Sequence, residues 1–169
     1  MPKRRNVRRL AMQLLYQFDL GGEADEQAVL AGLEDAHDAP AVRRAAVTLA
    51  TGAWRGRAEA DRRIAELTPD WPTHRQPPVD RAILRLAHHE MVSGHAPAKV
   101  AINEAVELAK RYADEQSPSF INGVLDKLAK RLDREGQLPA NPLTADDLAR
   151  IDPWLDDALN ENDENGPPS

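Results

Sequence analysis

Apolar positions recur along most of the chain with the period of helices that each bury one face. Val7, Leu10, Ala11, Leu14, Leu15 and Phe18 stand at i, i+3, i+4, i+7, i+8 and i+11, which predicts a helix over residues 3–20. Gly21-Gly22 stops it. Val29, Leu30 and Leu33 predict a shorter helix over 25–37. Pro40 opens a third, whose stripe of Val42, Ala46, Leu49, Ala53, Ala60, Ile64 and Leu67 runs past Gly52 and Gly56. Each of those glycines weakens a helix by about 1 kcal/mol relative to alanine unless close packing uses it. Pro69 to Pro78 is a connector that contains Trp71.

Three more stripes follow. Val79, Ile83, Leu86, Ala87 and Met91 predict a helix ending at Gly94. Ile102, Ala105, Val106, Ala109 and Ala113 predict one starting near Pro97. Ile121, Val124, Leu125, Leu128 and Leu132 predict the last, with Ser117 as its cap and Pro118 in its first turn. No run of alternating β-branched residues points to a strand. The expected fold is all-α, a helical bundle of two packed subdomains over residues 1–136, with halves of about 1–70 and 71–136. From Gln137 the pattern stops. Prolines mixed with Asp and Asn predict an acidic, largely disordered tail over 137–169, with a short helix beginning near Thr144.

Composition narrows the class. No stretch of about 18 apolar residues is present, which argues against a membrane span. The basic start has no apolar segment behind it, so no signal peptide is expected. Cysteine is absent, which removes thiolate chemistry and cysteine zinc sites and fits a reducing cytoplasm. The net charge is −6, which on its face argues against a nucleic-acid partner. Its distribution reverses that reading. Eight acids and one base fall in residues 137–169, which leaves 21 bases against 20 acids in the body. Lys3, Arg4, Arg5, Arg8 and Arg9 precede the first acid, Asp19.

At about 100° per residue, Arg5, Arg8, Arg9, Met12 and Tyr16 project away from the apolar stripe of the first helix. Arginine forks suit phosphate oxygens and the edges of unpaired bases. Tyr16 offers a surface on which a splayed base can stack. The competing reading is an ordinary solvated face. Elsewhere the chemistry is thin. His88-His89-Glu90 places neighbours about 100° apart, so they do not share a metal-ligand face. His37, His74 and His95 lack ligand-spaced partners. Asn122-Gly123 lies inside a helical stripe, where a glycine permits close helix contact. No phosphate-binding glycine loop and no serine–histidine–acid arrangement stands out. Neither an enzyme nor a cofactor or metal site is expected.

Three segments resemble one family: RRLAMQLLY (Arg8 to Tyr16), DRAILRLAHHE (Asp80 to Glu90) and VAINEAVELAKRYADEQSPSFINGVLDK (Val100 to Lys127). They are similar to the NusB family of bacterial transcription antitermination factors, over about residues 4–132. The resemblance implies a NusB-like helical bundle of two subdomains. It implies binding of the single-stranded boxA element of ribosomal RNA transcripts. The partner would be NusE, a small-subunit ribosomal protein, and the complex would join other Nus factors and RNA polymerase. By the same resemblance Arg4, Arg5, Arg8 and Arg9 match the family's arginine-rich RNA arm, and Gln13 and Tyr16 match positions on the same helix; Lys3 joins them as an RNA-binding candidate. Phe120 and Asn122 match a second RNA border, although Phe120 also has a core reading. Asp80, Arg81 and Glu90 match the helix assigned to NusE. Asn6 interrupts the family's arginine run, and Gln116 stands where an acid is common.

Two other readings compete. NusB-like domains also precede some ribosomal RNA cytosine methyltransferases, but that chemistry needs a nucleotide-binding domain and a catalytic cysteine. A helical scaffold that binds protein alone is the other. Exposed apolar surface would allow a homodimer in the absence of NusE. The tail, at −7, would either fold onto the basic helix or aid solubility.

Overall fold

The computed structural model describes residues 2–21, 25–33 and 37–139; the side chains of Pro2 and Lys3 are not described. Nearly all of the expected acidic tail therefore lies outside the described residues. Within them the chain forms seven α-helices, one 3-10 turn and no strand. The helices are α1 (Pro2–Asp19), α2 (Glu26–Gly32), α3 (Pro40–Arg55), α4 (Arg57–Leu67), α5 (Pro78–Ser93), α6 (Ala98–Tyr112) and α7 (Ser117–Arg134). The 3-10 turn spans Thr73–Arg75.

Two compact units divide between Thr51 and Gly52, not near residue 70 as expected. The reason lies in α4, which packs on α5 and α7 and so groups with the later helices. The single long helix expected from Pro40 to Leu67 is also two. Gly56, at φ −88° and ψ 5°, leaves helical geometry between α3 and α4. Arg57 compensates by donating from Nη1 to the Trp54 carbonyl at 2.7 Å, and its guanidinium lies 3.9 Å over the Trp54 ring.

The first unit buries the expected stripes of α1 and α3: Val7, Leu10, Leu14, Leu15 and Phe18, with Val42, Ala46 and Leu49. Asp25 caps α2 by accepting from the Ala28 amide at 3.0 Å. Arg43 donates to the Leu33 carbonyl just beyond the end of α2 at 2.6 Å.

The second unit is built on α5, which buries ten of its 16 residues. Helices α4, α6 and α7 pack on α5. Gly52 is where close approach matters: a Cβ there would stand 2.8 Å from the His89 ring. Gly123 is the opposite case. It was expected to permit close helix contact, but it is exposed and a Cβ there would meet nothing within 4 Å. Helix α5 ends on Gly94 at φ 75°. Helix α7 ends in a Schellman arrangement: Gly136 has φ 68°, and the Gln137 amide bonds to the Leu132 carbonyl at 2.8 Å.

Charged side chains enter this second core in pairs. Arg85 grips Asp61 through Nε and Nη2 at 2.9 and 2.7 Å. Arg63 Nη1 lies 3.0 Å from His88 Nε2. Arginine only donates, so Nε2 accepts and the ring proton sits on Nδ1. Burial pushes His88 down to about 4, with the Arg63 charge acting in the same direction. Around this pair, Arg63 meets Glu59 and Glu135, while Arg131 bridges Glu66 and Glu135.

Candidate nucleic-acid interface

Helix α1 carries the first set of candidates. Arg5 is exposed, and Arg4, Arg9 and Gln13 are half-buried. Tyr16 is 37% exposed. Lys3 sits in the first turn, its side chain outside the described residues. Arg8 and Met12 depart from the expected projection. They were assigned to the open face, but Arg8 is 6% exposed and Met12 is buried too. The buried arc of α1 is wider than its apolar stripe, so an arginine at its margin is enclosed. Arg9 is already paired: Nη2 meets Asp38 Oδ1 at 2.5 Å, and Nη1 donates to Gln13 Oε1 at 3.3 Å. Asp38 is a residue that sequence reasoning missed, because nothing local ties it to a helix 29 positions earlier.

The second set belongs to the other unit. Asn122 is exposed and Phe120 half-buried on the first turns of α7. Phe120 does not stand alone. The Trp71 ring meets it edge-on, with centroids 6.4 Å apart and planes at 63°. Trp71 is 45% exposed. Its place in a proline-bounded connector was the signal available, but not its neighbour. The connector is held by Arg81, which donates to the Thr73 and Gln76 carbonyls at 2.9 and 3.4 Å. Gln76 in turn donates to the Trp71 carbonyl at 3.3 Å.

Trp71 and Phe120 line an open cleft of about 720 Å³ with Pro77, Asp80, Asp114 and Gln116. Asp80 is buried, and burial raises its carboxyl from its ordinary value. Ser117 Oγ lies 3.0 Å from both Asp80 oxygens and donates to them. This corrects the capping role expected of Ser117, since Gln116 is the N-cap position and makes no side-chain cap bond. A buried carboxylate is a stronger partner for the hydroxyl than a backbone amide, so it takes the bond.

The residues assigned to a protein partner are enclosed to different degrees. Glu90 is 2% exposed, and Asp80 is buried. Asp80 is reached only through the cleft it lines, and Glu90 is enclosed because α5 is the central helix of its unit. Arg81 is half-buried and occupied by the connector. No group of three or more metal-ligating side chains occurs among the described residues.

The NusB family model matches residues 5–130. The chain belongs to the NusB family. Among relatives of this NusB-family chain is the transcription antitermination protein NusB of Roseiflexus sp. (strain RS-1), 40% identical over 131 residues, covering 76% of this chain and 92% of the relative. The Saccharopolyspora erythraea protein of the same name is 40% identical over 136 residues, covering 79% and 91%. T. maritima NusB is a structural neighbour at TM-score 0.65 and 33% identity, covering 75% of this chain and 90% of that one. A crystal structure of the antitermination factors NusB and NusE in complex with dsRNA matches at TM-score 0.66 and 28% identity, covering 78% and 98%. The all-α fold expected from the stripes is thus the NusB fold. No helix among the described residues is long and apolar enough to cross a membrane.

Proposed function

We propose that this chain is a transcription antitermination factor that binds boxA-type RNA of ribosomal RNA transcripts together with NusE, as a non-catalytic adaptor. One observation carries the RNA reading. Helix α1 has no acid before Asp19 and leaves Arg4, Arg5, Arg9 and Tyr16 outside its fully buried stripe. Guanidinium groups at that spacing neutralise phosphates, and the tyrosine supplies a stacking face. Trp71 and Phe120 add an aromatic pair beside an open cleft, suited to an unpaired base. The neighbour solved with NusE and dsRNA supports both partners.

NusE docking is expected on the α5 side, at the helix that carries Asp80, Arg81 and Glu90, through the surface around the two buried carboxylates. Other Nus factors and RNA polymerase follow as further partners of the assembled complex. The test is a pull-down with and without NusE, scored for retained boxA RNA. The R5A/R9A double variant should retain far less RNA while its helicity is unchanged. For single strands, log affinity should fall with log salt by about 0.7 per neutralised phosphate. A flat salt dependence with boxA RNA would overturn the RNA reading and favour a purely protein-binding scaffold.

A further inference from the structure

We propose that the exposed ridge of α7 carries the sugar–phosphate backbone of single-stranded RNA onward from Phe120, past Gly123, to Lys127 and Arg134. The inference rests on the RNA reading above and extends its footprint. Residues 120, 123, 127 and 134 follow the three- and four-residue spacing of one helix face. Beyond Phe120 all of them are exposed. The ridge is about 21 Å long at 1.5 Å per residue.

Two independent observations point to a ligand there. The first is Gly123. A glycine in mid-helix is unfavourable. Here it has no positive φ, and a Cβ would meet nothing within 4 Å. Among the described residues neither backbone geometry nor packing uses it, which leaves the space over it open to a ligand from outside. A missing side chain lets a sugar–phosphate backbone come close to a helix. The second is charge. Lys130 is paired with Asp126 at 3.0 Å, and Arg131 with Glu66 and Glu135. Lys127 and Arg134 make no ion pair among the described residues, and they lie on the same face as Gly123. Cations without an ion pair among the described residues, in line with an aromatic side chain, match a strand that stacks a base and then runs on through its phosphates.

The test uses the full chain with NusE and two single-stranded RNAs, a short boxA oligonucleotide and one extended by several nucleotides at both ends. The variants are K127A/R134A and G123L. For the extended RNA, the double variant should reduce the salt slope by about 1.4, the value for two phosphates. G123L should weaken binding of the extended RNA several-fold with its thermal midpoint preserved or raised, since its Cβ meets nothing within 4 Å and leucine favours a helix more than glycine does. An unchanged slope in K127A/R134A, with the wild type still salt-dependent, would overturn the ridge and leave the RNA reading intact. Loss of NusE capture in place of RNA affinity would also overturn it, and would make the ridge a protein surface. If the wild type binds neither RNA with salt dependence, the underlying RNA reading fails, and the ridge with it.

Discussion

Lowering the pH should destabilise this protein through one side chain, His88. The ring is 3% exposed and accepts a hydrogen bond from Arg63. Protonation would replace an acceptor by a donor and set two cations 3.0 Å apart inside the core. Folding thus lowers the affinity of His88 for a proton, from an ordinary value of 6.5 to about 4. Because the folded value is the lower, the unfolded chain binds more protons between the two. The stabilising contribution is complete above pH 6.5, declines as pH falls, and is gone below about 4. Each tenfold loss of proton affinity corresponds to about 1.36 kcal/mol, so the contribution amounts to about 3 kcal/mol. Urea unfolding midpoints measured from about pH 7.5 to about pH 4.5 would reveal it in the wild type. Carboxylates also titrate toward the acid end, so the comparison is with His88→Gln, which keeps an uncharged acceptor near the Nε2 position. The variant should lose distinctly less stability over this range. Parallel curves for the two proteins would refute the reasoning and show that Arg63 tolerates a charged imidazole.

Three further outcomes follow from the packing. Gly52→Ala should destabilise by about 1–3 kcal/mol because its Cβ overlaps the His89 ring. Gly123→Ala should stabilise by about 0.5–1 kcal/mol; thermal unfolding compares the pair directly. Ser117→Ala removes the hydroxyl that satisfies the buried Asp80 carboxylate, and should cost about 1–3 kcal/mol in chemical denaturation. A fourth concerns the basic face. Asp38→Asn releases Arg9 from its ion pair, worth up to about 1 kcal/mol; boxA affinity at low salt should rise by up to about fivefold, and unchanged affinity would place Arg9 outside the RNA contact.

The helices were legible because each stripe is a local pattern: Val7 through Phe18 needs no knowledge of what covers it. Their punctuation was legible where glycine or proline has one outcome, as at Gly94 and Pro97. Gly56 was not, since a glycine inside a stripe looks the same whether the helix tolerates it or breaks. The width of a buried arc was not legible either. Periodicity gives the centre of a face, and only tertiary enclosure decides that Arg8 falls inside while Arg5 stays out. The burial of Asp80 and Glu90 was not legible for the same reason, because an acid on a helix looks solvated until the helix proves central. The meetings of Trp71 with Phe120 and of Arg9 with Asp38 join distant positions by folding alone, and no local pattern announces them.

The Arg9–Asp38 pair changes how a salt titration of this protein is to be interpreted. On the proposed RNA contact of Arg9, Asp38 would be a tethered stand-in for a phosphate, since it already holds the guanidinium in place. A phosphate that displaced it would release one counterion from the RNA and draw another to the uncovered carboxylate. That exchange is nearly neutral in ions, so the proposed contact would be made without steepening the salt dependence. A slope converted to phosphates at the usual factor would therefore undercount the footprint by about one.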